Sequence, residues 1–571
     1  MEFNQNIKLQ TCENGKEAQF KNFRVDGYDK NTRTAYEFYG CYYHGHSCIT
    51  QCRDQVIDKE GRSLNSRYDA TLAREQFLKN SCNVKVVSIW ECEWEKQVKM
   101  SPEIQSFIRD HCSNVEKPLQ PRDAFKGGRV ECFKALYECT EQEVCEYVDF
   151  TSLYPWVMSK QPLPVGRVTI HKGDNMPDPS QVHGLVYCKV LPPSNLAIPL
   201  LPYNAHNKLM FGLCRTCMDN LNKDKCNHTN EQRAIKGVFC TSELHASLKK
   251  GYVILHTYEI WEMQMKEGLF KSYVDTFLKM KQQASGFPDD CLTYEEKQQY
   301  ISEYSKHEGI EIDYDNIQRN EGLRYISKIF LNSLFGKWGQ KTDLPKTKVV
   351  NNTLEFNEIA YSSHLEMQNV VLVGDKLVVS YRDLENQNTP NKFTNVAVAA
   401  FISSWARLKL YETLDAVGID RLLYCDTDSV TYIRRRDETP LLPIGDYLGQ
   451  LKNEIKQGWE IRTFISLGPK NYAYREVETT TGTVNEVIKI HGITLSQRAR
   501  KRINFEHMYN LVTEKCDSQV IFTPTHILRK PDFRVVCKPQ TKRHAVVQQT
   551  KRRRLNPSST VDYGTLPYGF R

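Results

Sequence analysis

The sequence contains no long apolar run: nothing in its 571 residues approaches the ~18 consecutive apolar residues that a membrane-spanning helix needs. The first thirty residues are polar and show no secretory signal pattern, and no internal repeat is evident. These absences argue against a secreted precursor and a transmembrane protein. We therefore expect a soluble intracellular protein that does not enter a membrane.

Neither charge nor cysteine content defines a class by itself. Lys and Arg number 77 against 69 Asp and Glu, which gives a formal charge of +8. This mild excess permits a polyanionic partner without requiring one. The 19 cysteines are odd in number and several lie near histidines, which favours metal binding and free thiols over a disulfide framework. A chain of this length suggests about three to five domains or subdomains.

We expect the rest of the chain to be organised around the segment RLLYCDTDSVTYI at residues 421–433. Two apolar runs flank a polar turn, a pattern typical of a β-hairpin. Strand side chains alternate between faces, so Asp426 and Asp428, two residues apart, can face the same divalent ion. The alternative is an ordinary Asp-rich turn capped by its own side chains.

Residues 1–115 predict an α/β unit with a metal site. The predicted strands and helix lie at residues 23–25, 34–39, 84–90 and, for the helix, 67–79. Cys41, His46 and Cys48 offer three soft or borderline ligands within eight residues, and Cys92 is the natural fourth for tetrahedral zinc. Buried cysteines that act as small hydrophobic side chains are the alternative.

A Pro- and charge-rich linker leads to the segment FKGGR at residues 125–129. Its paired glycines, Gly127 and Gly128, let the backbone approach another chain or a phosphate closely, with Arg129 placed to contact the anion. A predicted strand at residues 144–150 carries Asp149 at its end. Tyr154 follows it in a turn, which suits the floor of a site for a nucleotide sugar.

Residues 192–265 are interpreted as a zinc-ribbon-like insertion, irregular up to about residue 251. Four potential ligands follow a C-x2-C-x8-C-x-H pattern, namely Cys214, Cys217, Cys226 and His228. A short loop cannot bury enough apolar surface to fold alone, and a bound Zn²⁺ can replace the missing core. This spacing favours a structural rather than a catalytic zinc.

Residues 266–340 show two helical hydrophobic patterns, joined by a long excursion with a third helix at about 293–307. Arg324, Lys328 and Asn332 are spaced by four and share a helix face, and Lys281 lies near the end of the first helix. Converging cations of this kind can neutralise a triphosphate. A solvated basic face is the alternative.

Five segments, in chain order, resemble motifs of family B DNA polymerases of the protein-primed branch. They are FKGG at 125–128, DFTSLYP at 149–155, KIFLNSLFG at 328–336, YCDTDS at 424–429 and GPKNY at 468–472. The resemblance spans about residues 20–570 and is greatest to the polymerases of Maverick/Polinton self-synthesising transposons and related viral elements. It implies a DNA-directed DNA polymerase shaped like a right hand, with palm, fingers and thumb.

The resemblance implies roles in catalysis. Asp149 and Asp428 are expected to bind two catalytic Mg²⁺ ions, which Mn²⁺ can replace, with Asp426 as an accessory carboxylate. Tyr154 is expected to lie under the deoxyribose of the incoming nucleotide and to exclude a 2′-hydroxyl. Phe335 stands where the family usually has Tyr, so one hydroxyl that checks the minor groove is missing.

The resemblance also assigns residues to the substrates, primer-template DNA and deoxynucleoside triphosphates. The phosphates are expected to contact Lys281, Arg324 and Lys328, and the nascent base pair to contact Asn332 and Phe335. The DNA contacts implied are Lys470 and Tyr472 for the primer, and Phe125, Gly127, Gly128 and Arg129 for the template. A terminal priming protein is a further possible partner, and the chain itself is expected to be a monomer.

The front of the chain resembles the very-short-patch mismatch-repair endonucleases, a zinc-stabilised branch of the restriction-endonuclease-like fold. The segments that carry this resemblance are VD at 25–26, GCYYHGHSC at 40–48 and IWEC at 89–92. It implies that Asp26 binds a catalytic metal and that His44 is an acid or base. The chain has Tyr39 and Phe38 where the family has His and Thr, and Glu37 can supply a second carboxylate or lie half-buried in a strand. A working nuclease and a zinc-stabilised structural or DNA-binding remnant both remain open.

The expected fold class is therefore α/β and α+β, multidomain, with a right-hand polymerase preceded by a restriction-endonuclease-like domain. The expected divisions are the endonuclease-like domain (1–115), linker and first palm segment (116–191), zinc-ribbon-like insertion (192–265), fingers (266–340), a second insertion (341–394), palm (395–475), and thumb with a basic C-terminal region (476–571). In the protein-primed branch, an insertion like the second one encircles DNA and favours strand displacement.

The basic run at residues 551–554 can bind DNA, serve as a nuclear signal or form part of a solvated tail. Nothing upstream of Phe125 has room for the 3′–5′ exonuclease domain that the family normally carries, so we expect no proofreading from this chain. Two further readings stay open beside the polymerase. One is a decayed or domesticated DNA-binding protein, and the other is a nuclease whose polymerase half is a scaffold.

Overall fold

The computed structural model describes residues 9–11, 17–50, 53–54, 62–108, 117–173, 175–341, 344–362, 365–383, 394–493, 495–516, 518–530, 534–546, 551–555 and 563–571. The chain forms two compact units, Met1–Lys117 and Pro118–Arg571, here called the N-terminal and C-terminal units. In the described part of the chain, no helix combines the length and apolar character needed to cross a bilayer.

The N-terminal unit has mixed α/β structure. Its elements are β1 (Ala18–Phe20), β2 (Phe23–Val25), β3 (Gly27–Asp29), β4 (Thr34–Tyr39), α1 (Leu64–Ser81), β5 (Lys85–Trp90), α2 (Glu91–Met100) and α3 (Pro102–Phe107). Strand β4 pairs antiparallel with β3 and parallel with β5. Helix α1 starts where the Ser63 hydroxyl accepts the Ser66 N–H, and its Leu78 packs with Val25, Ala35 and Val84. The predicted strands and helix are confirmed.

The C-terminal unit contains the remaining elements. Its strands are β6 (Val130–Cys132), β7 (Leu136–Glu138), β8 (Glu143–Phe150), β9 (Leu163–His171), β10 (Gly184–Leu191), β11 (Tyr203–Ala205), β12 (Lys208–Met210), β13 (Ile235–Cys240), β14 (Val253–Lys266), β15 (Lys346–Val350), β16 (Leu365–Val373), β17 (Lys376–Asp383), β18 (Leu422–Asp426), β19 (Ser429–Arg435), β20 (Leu451–Asn453), β21 (Trp459–Gly468), β22 (Asn471–Glu478), β23 (Val484–Ile490), β24 (Ser518–Arg529), β25 (Val535–Ala545), β26 (Arg553–Arg554) and β27 (Thr565–Leu566). Its helices are α4 (Pro121–Ala124), α5 (Leu153–Lys160), α6 (Arg215–Asp219), α7 (Asn230–Arg233), α8 (Thr241–Lys249), α9 (Lys271–Gln283), α10 (Tyr294–Glu308), α11 (Glu321–Trp338), α12 (Thr353–Ala360), α13 (Val396–Val417), α14 (Gln497–Arg500) and α15 (Phe505–Val512), with a 3₁₀ turn at Tyr314–Asn316.

A nine-stranded sheet forms the centre of this unit. Its main order is β23-β22-β21-β8-β19-β18-β6, and β20 and β7 pair with β8 and β21. The β18–β19 hairpin predicted from the sequence is confirmed, with Asp426 paired to Ser429. In strand β8, Val148 and Phe150 pack in the core. Successive strand side chains point to opposite faces, so Asp149 between them lies on the other face of the sheet.

A four-stranded sheet, in the order β13-β10-β14-β9, lies beside long apolar helix α13. Fifteen of the 22 residues of α13 are buried. The helix packs on elements that precede the zinc-ribbon-like region in the sequence and on elements that follow it. The predicted insertion at 192–265 is therefore too long. Only its first part is irregular, since β13 and β14 both pair with β10 in this sheet and α8 connects them.

Two helices of the predicted fingers, α9 and α11, pack against each other. The rings of Phe277 and Phe330 stack with their centroids 4.7 Å apart, and the Tyr273 hydroxyl donates to the Phe330 carbonyl. The third predicted helix is confirmed as α10, which begins after Thr293 in a capping box. Its last residue, Glu308, is buried and accepts a hydrogen bond from the Leu448 N–H at 2.6 Å.

The second insertion folds as a small module. Strands β15, β17 and β16 form a three-stranded sheet, and helix α12 packs on it through Ile359. Residues 384–393 of the predicted insertion lie outside the described part of the chain. The predicted start of the thumb at residue 476 is wrong for the sheet, because β22 crosses that point and β23 extends the nine-stranded sheet further. Strands β24 and β25 then form a long separate hairpin.

Candidate active site

Two carboxylates from distant parts of the sequence meet in the nine-stranded sheet. Asp149 lies opposite Ser429 in the β8–β19 register, and the Phe150 N–H donates to the Asp428 carbonyl at 2.8 Å. Burial, with the nearby Asp428 charge, raises the pKa of Asp149 to about 7. Burial, with Asp426, raises the pKa of Asp428 to about 6. Two desolvated carboxylates of this kind are stabilised by a divalent cation.

A cavity of about 1440 Å³ opens in front of these carboxylates. The sheet, the α9–α11 helix pair and α10 each contribute to its walls. Eight of the residues predicted to contact a nucleotide or its metal ions line this cavity: Asp149, Tyr154, Lys281, Arg324, Lys328, Asn332, Phe335 and Asp428. The fold therefore brings together residues that are up to 279 positions apart in the sequence.

The cationic wall comes from facing helices. Lys281 is on α9, and Arg324 and Lys328 are on α11, where the Arg324 Nε donates to the Ser285 hydroxyl at 3.2 Å. Burial, with the charges of Arg324 and Lys328, lowers the pKa of Lys281. Three mutually repelling cations in one wall are stabilised by a polyanion such as a triphosphate.

Aromatic rings form the floor between the carboxylates and the cations. The rings of Tyr154 on α5 and Phe335 on α11 stack with centroids 4.4 Å apart and an interplanar angle of 26°. Tyr154 is largely buried, and this burial raises the pKa of its hydroxyl.

Five acidic residues that line this cavity were not predicted from the sequence, namely Asp290, Glu296, Glu303, Asp446 and Glu454. Glu454 follows β20, a three-residue strand that pairs with β8 beside Asp149. Its charge adds to burial and to the other carboxylates in raising the pKa values of Asp149 and Asp428. Neighbouring Lys452 also lines the cavity and pairs with Asp446 at 2.7 Å. The sequence LKNE at residues 451–454 is the local signal for Glu454, and it is too short to be distinctive.

A second cavity, of about 530 Å³, lies on the other side of the hairpin tip. Asp149, Asp426 and Asp428 line it together with Lys470 and Tyr472. The Lys470 ammonium lies 2.7 Å from Asp426 Oδ1. Tyr472 is mostly buried, and its hydroxyl lies 3.2 Å from that of Tyr147. The predicted primer residues therefore lie next to the hairpin carboxylates, with Lys489 and His491 as further members that sequence reasoning missed.

The predicted template contact of Arg129 is wrong. Its side chain is 1% exposed, pairs with Glu131 at 2.5 Å and lies 4.3 Å over the Phe211 ring. Gly128 provides a close approach to the hairpin rather than to a phosphate, because a Cβ there would lie 2.7 Å from Thr427. Phe125 packs against Gly339 at the end of α11.

Gly127 is the exposed member of this segment. The Arg407 guanidinium on α13 fixes its conformation by donating to the Lys126 and Gly127 carbonyls at 2.6 and 3.0 Å. The same guanidinium forms a buried ion pair with Glu243. Of the predicted template segment, the structure therefore leaves Gly127 open to a ligand and assigns Arg129 to the interior.

The basic run at residues 551–554 packs against the fold and is not a solvated tail. Arg552 is 1% exposed and donates to the Thr565 hydroxyl and the Ala197 carbonyl, each at 3.0 Å. Arg553 and Arg554 form β26 and pair with β27. Arg552 is thus held inside the fold, whereas the other three residues of the run are partly exposed.

Both predicted Cys/His sets converge. In each set, one ligand atom per residue lies within 4.8 Å of all the others, for Cys41, His46, Cys48 and Cys92 and for Cys214, Cys217, Cys226 and His228. The distances from His228 Nδ1 to the three sulfurs are 3.3–3.6 Å. Three thiols and one imidazole at this separation fit a tetrahedral Zn²⁺, which binds sulfur at about 2.3 Å.

The predicted nuclease residues of the N-terminal unit have protein partners. Asp26 Oδ2 accepts the Phe38 N–H at 2.8 Å, and His44 Nδ1 lies 3.0 Å from the Thr71 hydroxyl. Glu37 is buried and pairs with Arg74 at 2.7 Å, and burial raises its pKa to about 7. Burial lowers the pKa of His44. If Glu37 were a metal ligand, the metal cation would balance its negative charge. Here the Arg74 guanidinium supplies that positive charge instead.

Comparisons with known proteins come from sequence and from structure. Residues 120–418 match the family described as DNA polymerase type B, organellar and viral. A probable DNA polymerase of Agaricus bitorquis is 28% identical over 255 residues, which are 40% of this chain and 29% of that protein. One of Podospora anserina is 26% identical over 399 residues, 65% of this chain and 27% of that protein. The chain thus spans less than a third of the length of each relative.

Among solved structures, phi29 DNA polymerase complexed with primer-template DNA and incoming nucleotide substrates is 15% identical, with a TM-score of 0.47. The match covers 86% of this chain and 73% of that chain. Phi29 DNA polymerase complexed with single-stranded DNA is 16% identical, with a TM-score of 0.48, and the match covers 75% and 62% of the two chains.

Proposed function

Because the chain belongs to the family of type B DNA polymerases of organelles and viruses, we propose that it catalyses DNA-templated addition of deoxynucleotides to a primer. One observation carries this proposal. A single cavity places the Asp149 and Asp428 carboxylates opposite the cations Lys281, Arg324 and Lys328. Carboxylates that hold divalent cations and basic groups that bind a triphosphate are the two requirements of this reaction.

Asp149, Asp428 and Glu454 form an all-oxygen donor set, which suits Mg²⁺ or Mn²⁺. Two such cations, when bound, supply activation of the primer 3′-hydroxyl and stabilisation of the leaving pyrophosphate. The protein's own contribution is positioning. Lys281, Arg324 and Lys328 bind the phosphate oxygens, and the buried surroundings of Asp149 strengthen electrostatic interactions there.

Recognition of the nucleotide falls to the floor of the cavity. The Tyr154 ring supports the deoxyribose and excludes a 2′-hydroxyl, while Asn332 and Phe335 line the nascent base pair. Lys470 and Tyr472, in the smaller cavity, contact the primer strand near its reacting end. Gly127 remains the member of the predicted template segment that is open to DNA.

The remaining part of the proposal concerns the DNA that the enzyme copies, its priming and its oligomeric state. We propose that the enzyme copies a mobile element or virus-like DNA inside the cell, that a terminal protein can prime it, and that it acts as a monomer. The resemblance of the motifs at 149–155, 328–336 and 424–429 to Maverick/Polinton polymerases supports this context. Burial of Arg552 and the pairing of Arg553 and Arg554 in β26 weaken the support that the basic run gave to a nuclear location.

The N-terminal unit has a second candidate function. A zinc-stabilised DNA-binding module is favoured over a nuclease, because Arg74 already pairs with Glu37, which nuclease chemistry would use as a metal ligand. Cleavage of supercoiled DNA that is abolished by Asp26→Ala would instead identify a nuclease. Its absence in the wild-type protein, together with DNA binding that depends on Cys41, supports the binding module.

Primer extension tests the main proposal. The wild-type protein is expected to extend a primed template with Mg²⁺ or Mn²⁺, and Asp428→Asn to abolish extension. Asp437→Asn is the matched control, since this exposed carboxylate beyond the same hairpin pairs with Arg435 outside the cavity. Equal activity of wild type and Asp428→Asn would rule the proposal out, and an inactive wild-type protein that still binds DNA would favour the decayed polymerase.

Strand displacement tests the role of the second insertion. The module formed by β15, α12, β16 and β17 has its own small core, so its removal should leave the nine-stranded sheet intact. Deletion of residues 343–390 is expected to abolish displacement on a gapped template while extension on a single-stranded template continues. Retained displacement would show that this module has another role.

A further inference from the structure

Residues 563–571, here called the strap, connect two distant parts of the C-terminal unit. At one end, the Thr565 N–H donates to the Phe133 carbonyl at 2.9 Å, and the Ala135 N–H donates to the Tyr563 carbonyl at 2.8 Å. At the other end, the Leu213 N–H donates to the Tyr568 carbonyl at 2.7 Å. The strap thus runs from the connection between β6 and β7 to the loop that begins the second Cys/His cluster.

The strap fits closely against that cluster, which is formed by Cys214, Cys217, Cys226 and His228. Gly569 has a φ of +88°, and a Cβ there would lie 2.4 Å from the Cys214 Cβ. The Arg571 guanidinium donates to the His228 carbonyl. Tyr568, between these contacts, is 3% exposed. The conformation of the strap therefore depends on the shape of the cluster loop.

Three buried charged residues continue the connection from the strap to the hairpin. Arg552 donates to the Thr565 hydroxyl at 3.0 Å and lies 3.9 Å from Glu131 Oε2. The same Glu131 oxygen pairs with Arg129 at 2.5 Å. A buried carboxylate between two guanidinium groups holds its partners in place, because losing one partner leaves uncompensated charge in the interior.

Arg129 completes the path through its backbone. Its carbonyl accepts the Thr427 N–H at 2.7 Å, and Thr427 stands between Asp426 and Asp428 with a left-handed φ of 62°. The next residue back, Gly128, packs on the Thr427 side chain. These contacts fix the turn that orients Asp428 toward the larger cavity.

We propose that the strap and the Arg552–Glu131–Arg129 triad couple zinc binding at the second cluster to the geometry of the hairpin tip. Glu131, Arg129 and Arg552 are then positioning residues for Asp428, and none of them touches substrate. Zinc fixes the cluster loop, the loop seats the strap, and the strap holds Arg552 against Glu131. The effect on catalysis rests on the proposed polymerase function, whereas the coupling itself does not.

A matched pair of glycine variants tests the coupling. Gly569→Ala places a methyl group against Cys214, whereas Gly482→Ala introduces the same change at another positive φ, +70°, with nothing within 4 Å. Zinc release to a chromogenic chelator and hydrogen exchange of peptides spanning 129–135 and 424–431 are measured for both. Gly569→Ala is expected to release one zinc at least about tenfold faster and to accelerate exchange in both peptides. Gly482→Ala should match the wild type.

Faster zinc release with unchanged exchange at residues 424–431 would overturn the coupling. If Gly569→Ala fails to fold, chelation of zinc from the wild-type protein provides the same comparison. Cys48→Ser then controls for metal lost from the other cluster, and Cys537→Ser controls for removal of an exposed thiol. Unchanged exchange at residues 424–431 after full chelation again refutes the proposal.

Primer extension adds a kinetic readout. Zinc loss at the second cluster is expected to lower kcat while the KM for nucleotide changes less than about twofold, because Lys281, Arg324 and Lys328 lie outside the path. An equal kcat with and without this zinc would contradict the coupling. If the wild-type protein does not polymerise, the hydrogen-exchange experiment still decides whether the strap couples the second Cys/His cluster to the hairpin tip.

Discussion

Lys470 Nζ lies 2.7 Å from Asp426 Oδ1, on the side of the hairpin that faces the smaller cavity. Asp426 therefore has a cation of the protein as its partner. Asp428, two residues further along the chain, lines the larger cavity with Asp149. Burial raises the pKa values of both, with the Asp428 charge adding to the effect on Asp149 and the Asp426 charge to that on Asp428. The two hairpin carboxylates differ in electrostatic surroundings, and this difference predicts different roles.

Substitution of the two hairpin carboxylates should separate those roles. Asp428→Asn is expected to lower kcat by about 10³-fold or more, and Asp426→Asn by only about tenfold, since Asp426 is neutralised by Lys470. Single-turnover primer extension measures both. Lys470→Met should resemble Asp426→Asn. Equal losses for the two aspartates would show that Asp426 is also a direct metal ligand.

Thermal stability without divalent cations should depend on pH through Asp149. Its pKa is about 7 in the folded protein against 3.8 in the unfolded chain, so the folded state binds more protons between these limits and stability falls as pH rises through them. Each unit of difference corresponds to about 1.4 kcal/mol. In EDTA at pH 8, Asp149→Asn is expected to raise Tm by about 2–5 °C.

Two further measurements check this pH effect. The gain of Asp149→Asn over wild type should shrink at pH 5, where the wild-type carboxyl is protonated in the folded state. Mg²⁺ should raise the Tm of wild type more than that of the variant at pH 8. Asp437→Asn is the control, because the pKa of this exposed carboxyl is lowered by Arg435. If the gain in Tm of Asp149→Asn over wild type did not change with pH, stability would not be linked to protonation of Asp149.

Sugar selection should depend on Tyr154. Its ring is held against Phe335 at 4.4 Å, and removing it opens space under the sugar. Tyr154→Val is expected to reduce the preference for deoxynucleotides over ribonucleotides by about 10- to 100-fold, measured as the ratio of kcat/KM values. Tyr447→Val is a suitable control, since Tyr447 lines the same cavity but stacks on His307. An unchanged ratio for Tyr154→Val would assign selection to another residue.

Zinc content should be two per chain. Cys48→Ser and Cys226→Ser each remove one ligand from a different cluster and should each lose one equivalent by elemental analysis. Cys537, an exposed cysteine on β25, belongs to neither cluster. Cys537→Ser should therefore keep both metals. Loss of both metals from one substitution, or none from either, would contradict two independent sites.

Local sequence was sufficient for the elements that carry the site. The alternation around Asp426 and Asp428 determined a hairpin, the four-residue spacing of Arg324 and Lys328 placed both on one helix face, and the Cys and His spacing identified two sets of ligands that converge in the structure. Each of these patterns depends on geometry within one strand, helix or short loop. Such geometry is fixed by backbone periods of 2.0 and 3.6 residues.

Only the tertiary structure decided which charged groups are available to a ligand. Arg129 and the run at residues 551–554 look like basic contacts in the sequence, yet Glu131 and backbone carbonyls hold Arg129 and Arg552 in the interior. Glu454 looks unremarkable in sequence and lines the larger cavity. Sequence determines what each side chain can do, whereas exposure and partners depend on long-range packing, which brings together segments that have no local relation.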